Sequence, residues 1–411
     1  MQFSSRLACL VRWSTTVADA PSRIERFLRR RIRAGKLQAR IGKGAWHSFG
    51  DASGSPIAVS VDPAAVLRLL RRPSSLTLGE CYMDGSLRLE TGDVFDLVDL
   101  IGRNSRFRPR REGWARRLVR NIGQRNGERA ARRNARHHYD LSVELYRRFL
   151  DEDLQYSCAW FTAPGVSLEA AQAAKRERIA RKLLLRPGDR VLDIGCGWGG
   201  LALDLAGRED VSVLGVTLAR EQRAVAAQRA ADAGLGERVS FAVLDYRQLQ
   251  GAFQRIVSVG MFEHVGRENY DAYFEKIAAL LPKDGVALVH SIGRRHGSGV
   301  TNPFLAKYIF PGGYIPLLSE VLPAVERAGL QVADIEIWRL HYAETLRCWR
   351  ERFGARRAEV AALYDERFCR MWEYYLAISE VAFRWAGYAV FQLQLTKAMD
   401  GAPVTRAYVE A

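Results

Sequence analysis

The sequence predicts an α/β protein built on a doubly wound parallel sheet. Three observations predict it. Short apolar runs recur at 191–194, 211–216, 239–244, 255–259 and 286–290. Segments of helical periodicity, at 200–208, 220–233, 270–281 and 319–328, alternate with or follow them. The first run also ends in a glycine-rich turn that opens directly into a helix. Strands separated by helices of this length pair in parallel, with the helices covering both faces of the sheet.

The turn is the organising stretch, V-L-D-I-G-C-G-W-G-G over 191–200. Val191, Leu192 and Ile194 suit a strand buried on both faces. Gly195, Gly197, Gly199 and Gly200 put four glycines into six residues, which lets the backbone turn sharply and approach a ligand. Such a strand–turn–helix binds a nucleoside-bearing cofactor at the carboxyl end of the strand. Gly195, Gly197 and Gly200 also fit the dinucleotide fingerprint, a weak signal alone. Two details favour S-adenosylmethionine (SAM) instead. Asp193 stands two residues before the first glycine, where SAM enzymes often carry an acid near the cationic methionine end. The second strand runs into Thr217, not the Asp or Glu that a nicotinamide enzyme uses on its ribose.

The 411 residues are enough for two or three domains. No apolar run reaches the roughly 18–20 residues that span a bilayer. The net charge of +16 calls for a polyanionic partner, either nucleic acid or an anionic membrane surface. The six cysteines are scattered without C-x-x-C spacing, which argues against a disulfide framework or a structural zinc and points to a reducing compartment. Residues 1–17 carry arginines, serines and no apolar core of a secretory signal, and read as a basic terminus.

Along the chain, residues 24–33 place Ile24, Phe27, Leu28 and Ile32 on one helical face, read as docked on a core. Phe49, Gly50 and Asp51 form a turn, residues 57–61 a strand, and Asp62 with Pro63 caps and starts a helix to 71. Residues 20–101 are therefore a small α+β domain. Residues 102–136 are a basic linker: from 103 to 136 there are thirteen arginines and two glutamates. Read functionally, it is an electrostatic foot on lipid headgroups. Residues 137–411 form the catalytic domain, with helices over 143–149 and 168–185 before the glycine turn and an aromatic-rich helical region over 343–397.

Ligands of such a sheet lie beyond the carboxyl ends of its strands. Those ends supply Asp193, then Thr217, Leu218 and Gln222 for ribose hydroxyls, then Asp245, Tyr246 and Arg247, where the tyrosine can stack on adenine. The fourth and fifth ends supply Glu263 and His290, which converge on one crevice and could hold a base, a metal or a substrate. One imidazole and one carboxylate are too few for a metal site. His264 and His296 read as packing residues.

Several further motifs occur in order: F-G-D (49–51), L-G-E-C-Y-M-D-G (78–85), H-Y-D-L-S (138–142), Q-Y-S-C-A (155–159), V-T-L-A-R-E-Q (216–222), V-S-V-G-M-F-E-H-V-G (257–266), H-S-I-G (290–293) and R-M-W-E-Y-Y-L (370–376). With the glycine turn, they resemble the cyclopropane-fatty-acyl-phospholipid synthases, close to the mycolic acid cyclopropane synthases. The mycolic acid enzymes lack the long amino-terminal domain. The resemblance implies a Rossmann-like SAM-dependent methyltransferase sheet with a small α+β amino-terminal domain and helical carboxy-terminal additions. It implies methylene transfer from SAM to a cis double bond of a phospholipid acyl chain. By matching positions, Tyr156, Ser157, Leu192, Asp193, Ile194, Gly195, Cys196, Gly197, Trp198, Gly199, Gly200, Thr217, Leu218, Gln222, Tyr246, Arg247 and Val259 would contact SAM. Cys158, Glu263, His290, Ile292 and Tyr342 match the positions that hold bicarbonate.

The chemistry needs these residue types. An alkene is a poor nucleophile and must be held in line with the sulfonium methyl. The resulting carbocation needs a dry, aromatic pocket, with Trp160, Phe161, Trp372, Tyr374 and Tyr375 as candidates. Bicarbonate oriented by Glu263 and His290 can take the surplus proton, and Cys158 then reads as a wall, not a nucleophile. The expected partner is a phospholipid bilayer surface, reached from the cytoplasm as a peripheral protein on the inner face of the membrane; a homodimer is left open. A fatty-acyl C-methyltransferase making methyl-branched lipid is the alternative, because the same cation can lose a different proton. A nucleic-acid amino-methyltransferase is disfavoured, because residues 260–263 lack the Asn/Asp-Pro-Pro-aromatic stretch. A non-catalytic lipid-binding relative is disfavoured by the presence of all five ion-site residue types.

Overall fold

The computed structural model describes residues 20–105, 141–296 and 301–410. The readings made for residues 1–17, for nearly all of the basic linker and for the His138–Asp140 part of its motif lie outside the described residues. The chain divides into two compact units at Arg106.

The first unit runs α1 (Ala20–Arg31), β1 (Lys36–Ile41), β2 (His47–Phe49), β3 (Pro56–Val61), α2 (Pro63–Arg71), α3 (Ser75–Met83), β4 (Leu87–Thr91) and α4 (Val94–Asn104). Its sheet order is β2-β1-β3-β4, with β1 and β3 parallel. Ile24, Leu28 and Ile32 pack on a core that includes Leu37, Ile57, Val59 and Leu97. Phe27, expected on that face, is instead exposed. Asp62 stands at the start of α2 but does not cap it; Arg88 takes its carboxylate at 2.6 Å. The reciprocal Asp93–Asp96 capping box starts α4, at 2.8 and 3.0 Å.

The second unit opens with α5 (Val143–Tyr146), shorter than the expected 143–149, and α6 (Leu168–Leu183). There follow β5 (Arg190–Ile194), α7 (Gly200–Arg208), β6 (Ser212–Thr217), α8 (Arg220–Asp232), β7 (Val239–Val243), β8 (Arg255–Val259), α9 (Tyr270–Leu280) and β9 (Val286–Arg294). The chain continues through α10 (Pro303–Tyr308), α11 (Leu318–Arg327), β10 (Gln331–Trp338), α12 (His341–Ala355), α13 (Arg357–Leu363), α14 (Glu366–Trp385), β11 (Tyr388–Thr396) and α15 (Ala407–Glu410). The seven-stranded order is β10-β11-β9-β8-β5-β6-β7. The expected five-stranded core, β5 to β9, is parallel throughout.

The sheet is nevertheless mixed, because β11 runs antiparallel to both β9 and β10. The helical reading of residues 343–397 is therefore wrong for its last turns. Gly387, at φ +76°, ends α14, and V-F-Q-L-Q-L-T beyond it alternates with the strand period of two. Both faces of β11 are buried, and Gln392 and Gln394 are buried with Leu393 and Leu395. That burial blurred the alternation, since polar residues do not mark an exposed face here.

Two layers of apolar side chains cover the sheet. One joins Leu192, Ile256 and Leu393 to α9 and α11. The other joins Val191, Val213 and Leu288 to α6, α7 and α8. Leu393 is fully buried in the inserted strand. Leu393→Ala is expected to cost about 2–5 kcal/mol. The check is a lower urea midpoint at unchanged slope; an unchanged midpoint would contradict the insertion of β11 into the sheet.

Candidate active site

The site grows from the ends of the parallel strands. Asp193 lies in β5, and the chain then turns with Gly195, Gly197 and Gly199 at positive φ. At Gly197, φ is +53° and a Cβ would meet nothing within 4 Å. At Gly199, φ is +82° and a Cβ would lie 2.7 Å from Phe241 and 2.9 Å from Ala226. One glycine opens the cleft, and the other lets the turn press on the next layer.

Fifteen of the seventeen positions expected to contact the cofactor line one cleft: Tyr156, Ser157, Asp193, Ile194, Gly195, Cys196, Gly197, Trp198, Gly200, Thr217, Leu218, Gln222, Tyr246, Arg247 and Val259. Leu192 and Gly199 do not. Leu192 faces the core, and Gly199 packs behind the turn. Thr217 donates to Gln222 Oε1 at 2.8 Å, which fixes that amide. The Arg247 guanidinium is turned onto Asp245, at 2.9 and 2.7 Å, so it braces the strand end.

A second, mainly apolar cavity adjoins the first. Tyr156, Gly260, His264 and Phe310 line both. Its wall carries Glu263, Ile292 and Tyr342 together with Leu305, Tyr375, Phe383 and Tyr388. Of the five positions expected at an ion site, three line this cavity. Cys158 and His290 do not; both are buried and line neither cavity. Of the five aromatics proposed for the pocket, only Tyr375 lines it. Trp160 stacks on His341 at 4.2 Å, the Phe161 backbone N–H donates to His341 Nδ1 at 3.1 Å, Trp372 packs on Tyr146, and Tyr374 packs on Phe304. His264, read as a packing residue, stands where the two cavities meet. Burial holds its imidazole down to about 4. Phe310 had no signal in the sequence, because it comes from a loop outside every motif.

Glu263 is set by backbone. Its carbonyl accepts from Tyr314 N at 2.9 Å, and its Oε1 accepts from Ile292 N at 2.6 Å. The amide of Ile292 thus holds Glu263 in place, and Ile292 lines the same cavity as Glu263 and Tyr342. Burial pushes the Glu263 carboxyl up to about 7. Its Oε2 is buried with no hydrogen-bond partner among the described residues. Asp193 shares this state: burial raises it to about 7, and its Oδ2 has no partner among the described residues. A desolvated carboxyl oxygen left unpaired is costly, so each oxygen is poised to take a ligand group.

His290 sits two residues before Ile292 on β9, and its carbonyl accepts from Gly260 N at 2.9 Å. Glu263 and His290 are therefore neighbours through the backbone, but only Glu263 lines a cavity, so the expected convergence of both side chains on one crevice is met in part. Burial first, then the charges of Lys175 and Lys182, hold His290 well below the usual imidazole range. Burial also pushes the Cys158 thiol up, which leaves it protonated and unfit to attack. Lys175 underlies the whole site. Fully buried, it donates to Gln155 Oε1 at 2.5 Å and to Ser157 Oγ at 2.8 Å, and burial lowers it to about 8. Tyr156, next to these two residues, pairs its hydroxyl with that of Tyr375 at 2.6 Å.

Comparison with known proteins gives a consistent picture. Residues 126–393 match the family model described as mycolic acid cyclopropane synthetase. The chain is 38% identical over 347 residues to a cyclopropane-fatty-acyl-phospholipid synthase of Escherichia coli (strain K12), covering 84% of this chain and 89% of the relative. It is 37% identical over 334 residues to a probable fatty acid methyltransferase of Pseudomonas putida, covering 80% and 84%. Among solved structures, a mycolic acid cyclopropane synthase complexed with SAH and CTAB superposes with a TM-score of 0.62 at 34% identity, over 64% of this chain and 97% of that one.

The raised pKa of Asp193 has a defined effect on stability. Above pH 7 the folded chain carries the full desolvation penalty of the carboxylate; the penalty fades as pH falls from about 7 toward the unfolded value near 4. Asp193→Asn should stabilise the ligand-free protein by about 2–4 kcal/mol at pH 8. The gain should vanish near pH 4. Urea melts at the two pH values check this, and equal gains at both would refute the desolvation argument.

Proposed function

Because the chain belongs to the mycolic acid cyclopropane synthetase family, we propose that it closes a cyclopropane ring on the cis double bond of an unsaturated phospholipid acyl chain, using the methyl carbon of SAM. The coarser activity, SAM-dependent one-carbon transfer to lipid acyl chains, follows from the family. One observation carries the finer reading. The glycine-turn cleft shares Tyr156, Gly260, His264 and Phe310 with an adjoining apolar, aromatic cavity whose wall holds Glu263.

When bound, SAM supplies a methyl on a cationic sulfur that an alkene can attack. Asp193 suits it, as a desolvated carboxyl with an unpartnered oxygen beside a cationic ligand end. Tyr156, Phe310, Tyr342, Tyr375 and Phe383 exclude water from the acyl chain, and their ring quadrupoles can stabilise a carbocation on it. Bicarbonate, when bound, supplies a weak base for the surplus proton. Glu263 fits that ion through its open Oε2, which can accept the O–H of bicarbonate and so avoid setting anion against anion. Tyr342 reaches the same cavity with a hydroxyl donor. The likeness to a probable fatty acid methyltransferase favours a second reading, methyl-branched lipid, in which the same cation loses a different proton. Action on lipid calls for contact with a bilayer surface, and no helix of the described residues is long and apolar enough to cross one.

Purified protein incubated with SAM and vesicles of unsaturated phospholipid should yield cyclopropane lipid by gas chromatography with mass analysis. Exclusively branched product would transfer the assignment to the second reading. Glu263→Ala should retain SAM binding by calorimetry and lose about 100-fold or more in turnover; undiminished turnover would remove Glu263 from the mechanism. The pH profile adds a sign. Protonated Glu263 no longer accepts from bicarbonate, so turnover should fall as pH drops through about 7. In Glu263→Gln the residual activity should lose that step.

A further inference from the structure

The face of α6 that lies on the sheet carries cations where apolar residues are usual. Lys182 is fully buried there. Its Nζ contacts Glu336 Oε2 and Gln392 Oε1, the latter at 2.9 Å. Gln392 lies directly opposite His290 in the β9–β11 register, and its Nε2 is 3.1 Å from His290 Nδ1.

Donor chemistry fixes the direction of every bond in this chain. A lysine ammonium only donates, so the glutamine atom facing it is the carbonyl oxygen. The glutamine atom facing His290 is then the amide nitrogen, which only donates. His290 Nδ1 must therefore accept, and the single proton of the neutral ring sits on Nε2. Gln392 itself is held from behind by Lys182, and Lys182 is anchored by Glu336, which Arg178 also grips at 2.6 Å. The His290 ring is further set edge-on to Trp338, at 5.0 Å and 84°.

We propose that Lys182 and Gln392 form a positioning relay that fixes His290 as its Nε2–H tautomer, so that the imidazole is a hydrogen-bond donor toward an oxyanion at the site of Glu263. This rests on the bicarbonate reading above for what the donor serves, but not for where the proton lies. Burial and two nearby ammonium groups keep the ring neutral, so the tautomer is the variable that remains. A neutral donor can hold the ion without itself competing for the substrate proton. Were the proton on Nδ1, the ring would turn a lone pair toward the ion and repel it.

The test is nitrogen-15 NMR of protein carrying labelled histidine, with the His290 signals assigned by their loss in His290→Asn. The wild-type ring should show a bare Nδ1 and a protonated Nε2 at pH 7. A protonated Nδ1, or a cationic ring, would overturn the relay. Gln392→Glu replaces the donor with an acceptor oxygen and should place a proton on Nδ1. Its dependence on added bicarbonate should then weaken by about ten-fold or more, with SAM binding unchanged. A moved proton with unaltered bicarbonate dependence would sever the relay from the ion. If wild-type turnover ignores bicarbonate altogether, the reading of the ion site fails instead, and the tautomer measurement still judges the relay.

Discussion

A row of cations on one helix is the constraint from which the site hangs. Lys175 and Lys182, fully buried, and Arg178, partly buried, follow one another along α6 at helical spacing. Taking a charge out of water costs several kcal/mol unless its donors are used. Each of the three is used. Lys175 holds Gln155 and Ser157, and with them the loop that forms the cleft wall. Arg178 and Lys182 hold Glu336 on β10, and Lys182 also holds Gln392 on β11. One helix thereby pins a loop, an edge strand and an inserted strand in a single geometry.

The electrostatics of the site follow from that arrangement. Positive charge stands behind the sheet ends, and desolvated carboxyls stand in front of them. Lys175 acts on Asp193, Cys158 and His290 together. Its pull on Asp193 is weaker than the burial that raises that carboxyl, so the acid keeps an unmet need for a partner. The Glu263 carboxyl is in the same position on the far side of His264 and Gly260, which border both cavities. The ligand-free protein is thus balanced to gain by filling both places at once.

Much of this was legible in the sequence, for physical reasons. The parallel strands announced themselves because both faces are buried, so their apolar runs are unbroken. The glycine turn showed because its backbone needs positive φ at three positions. Glu263 and His290 were placed together by the rule that ligands gather at strand ends. The inserted strand was not legible. Gln392 and Gln394 interrupt its apolar residues, and both are buried to meet Lys182: one contacts its ammonium, and the other donates to its carbonyl at 2.6 Å. Four of the five candidate pocket aromatics fall outside the cavity for the same kind of reason. Trp160 and Trp372 are large and near in sequence to motifs, but they serve as packing. Phe383 and Tyr388, at the end of α14 and the start of β11, line the cavity because the strand turns back there.

The inserted strand also sets the order in which the protein can become competent. β9 and β11 are hydrogen-bonded neighbours, but His290 and Gln392 stand 102 positions apart in the chain. Closing so long a loop comes late in folding. Until it closes, the imidazole lacks its cross-strand amide, and β10 has no strand to join it to the sheet. A nascent chain thus holds every strand of the glycine-turn cleft before the strand that completes the sheet beside His290 has been made.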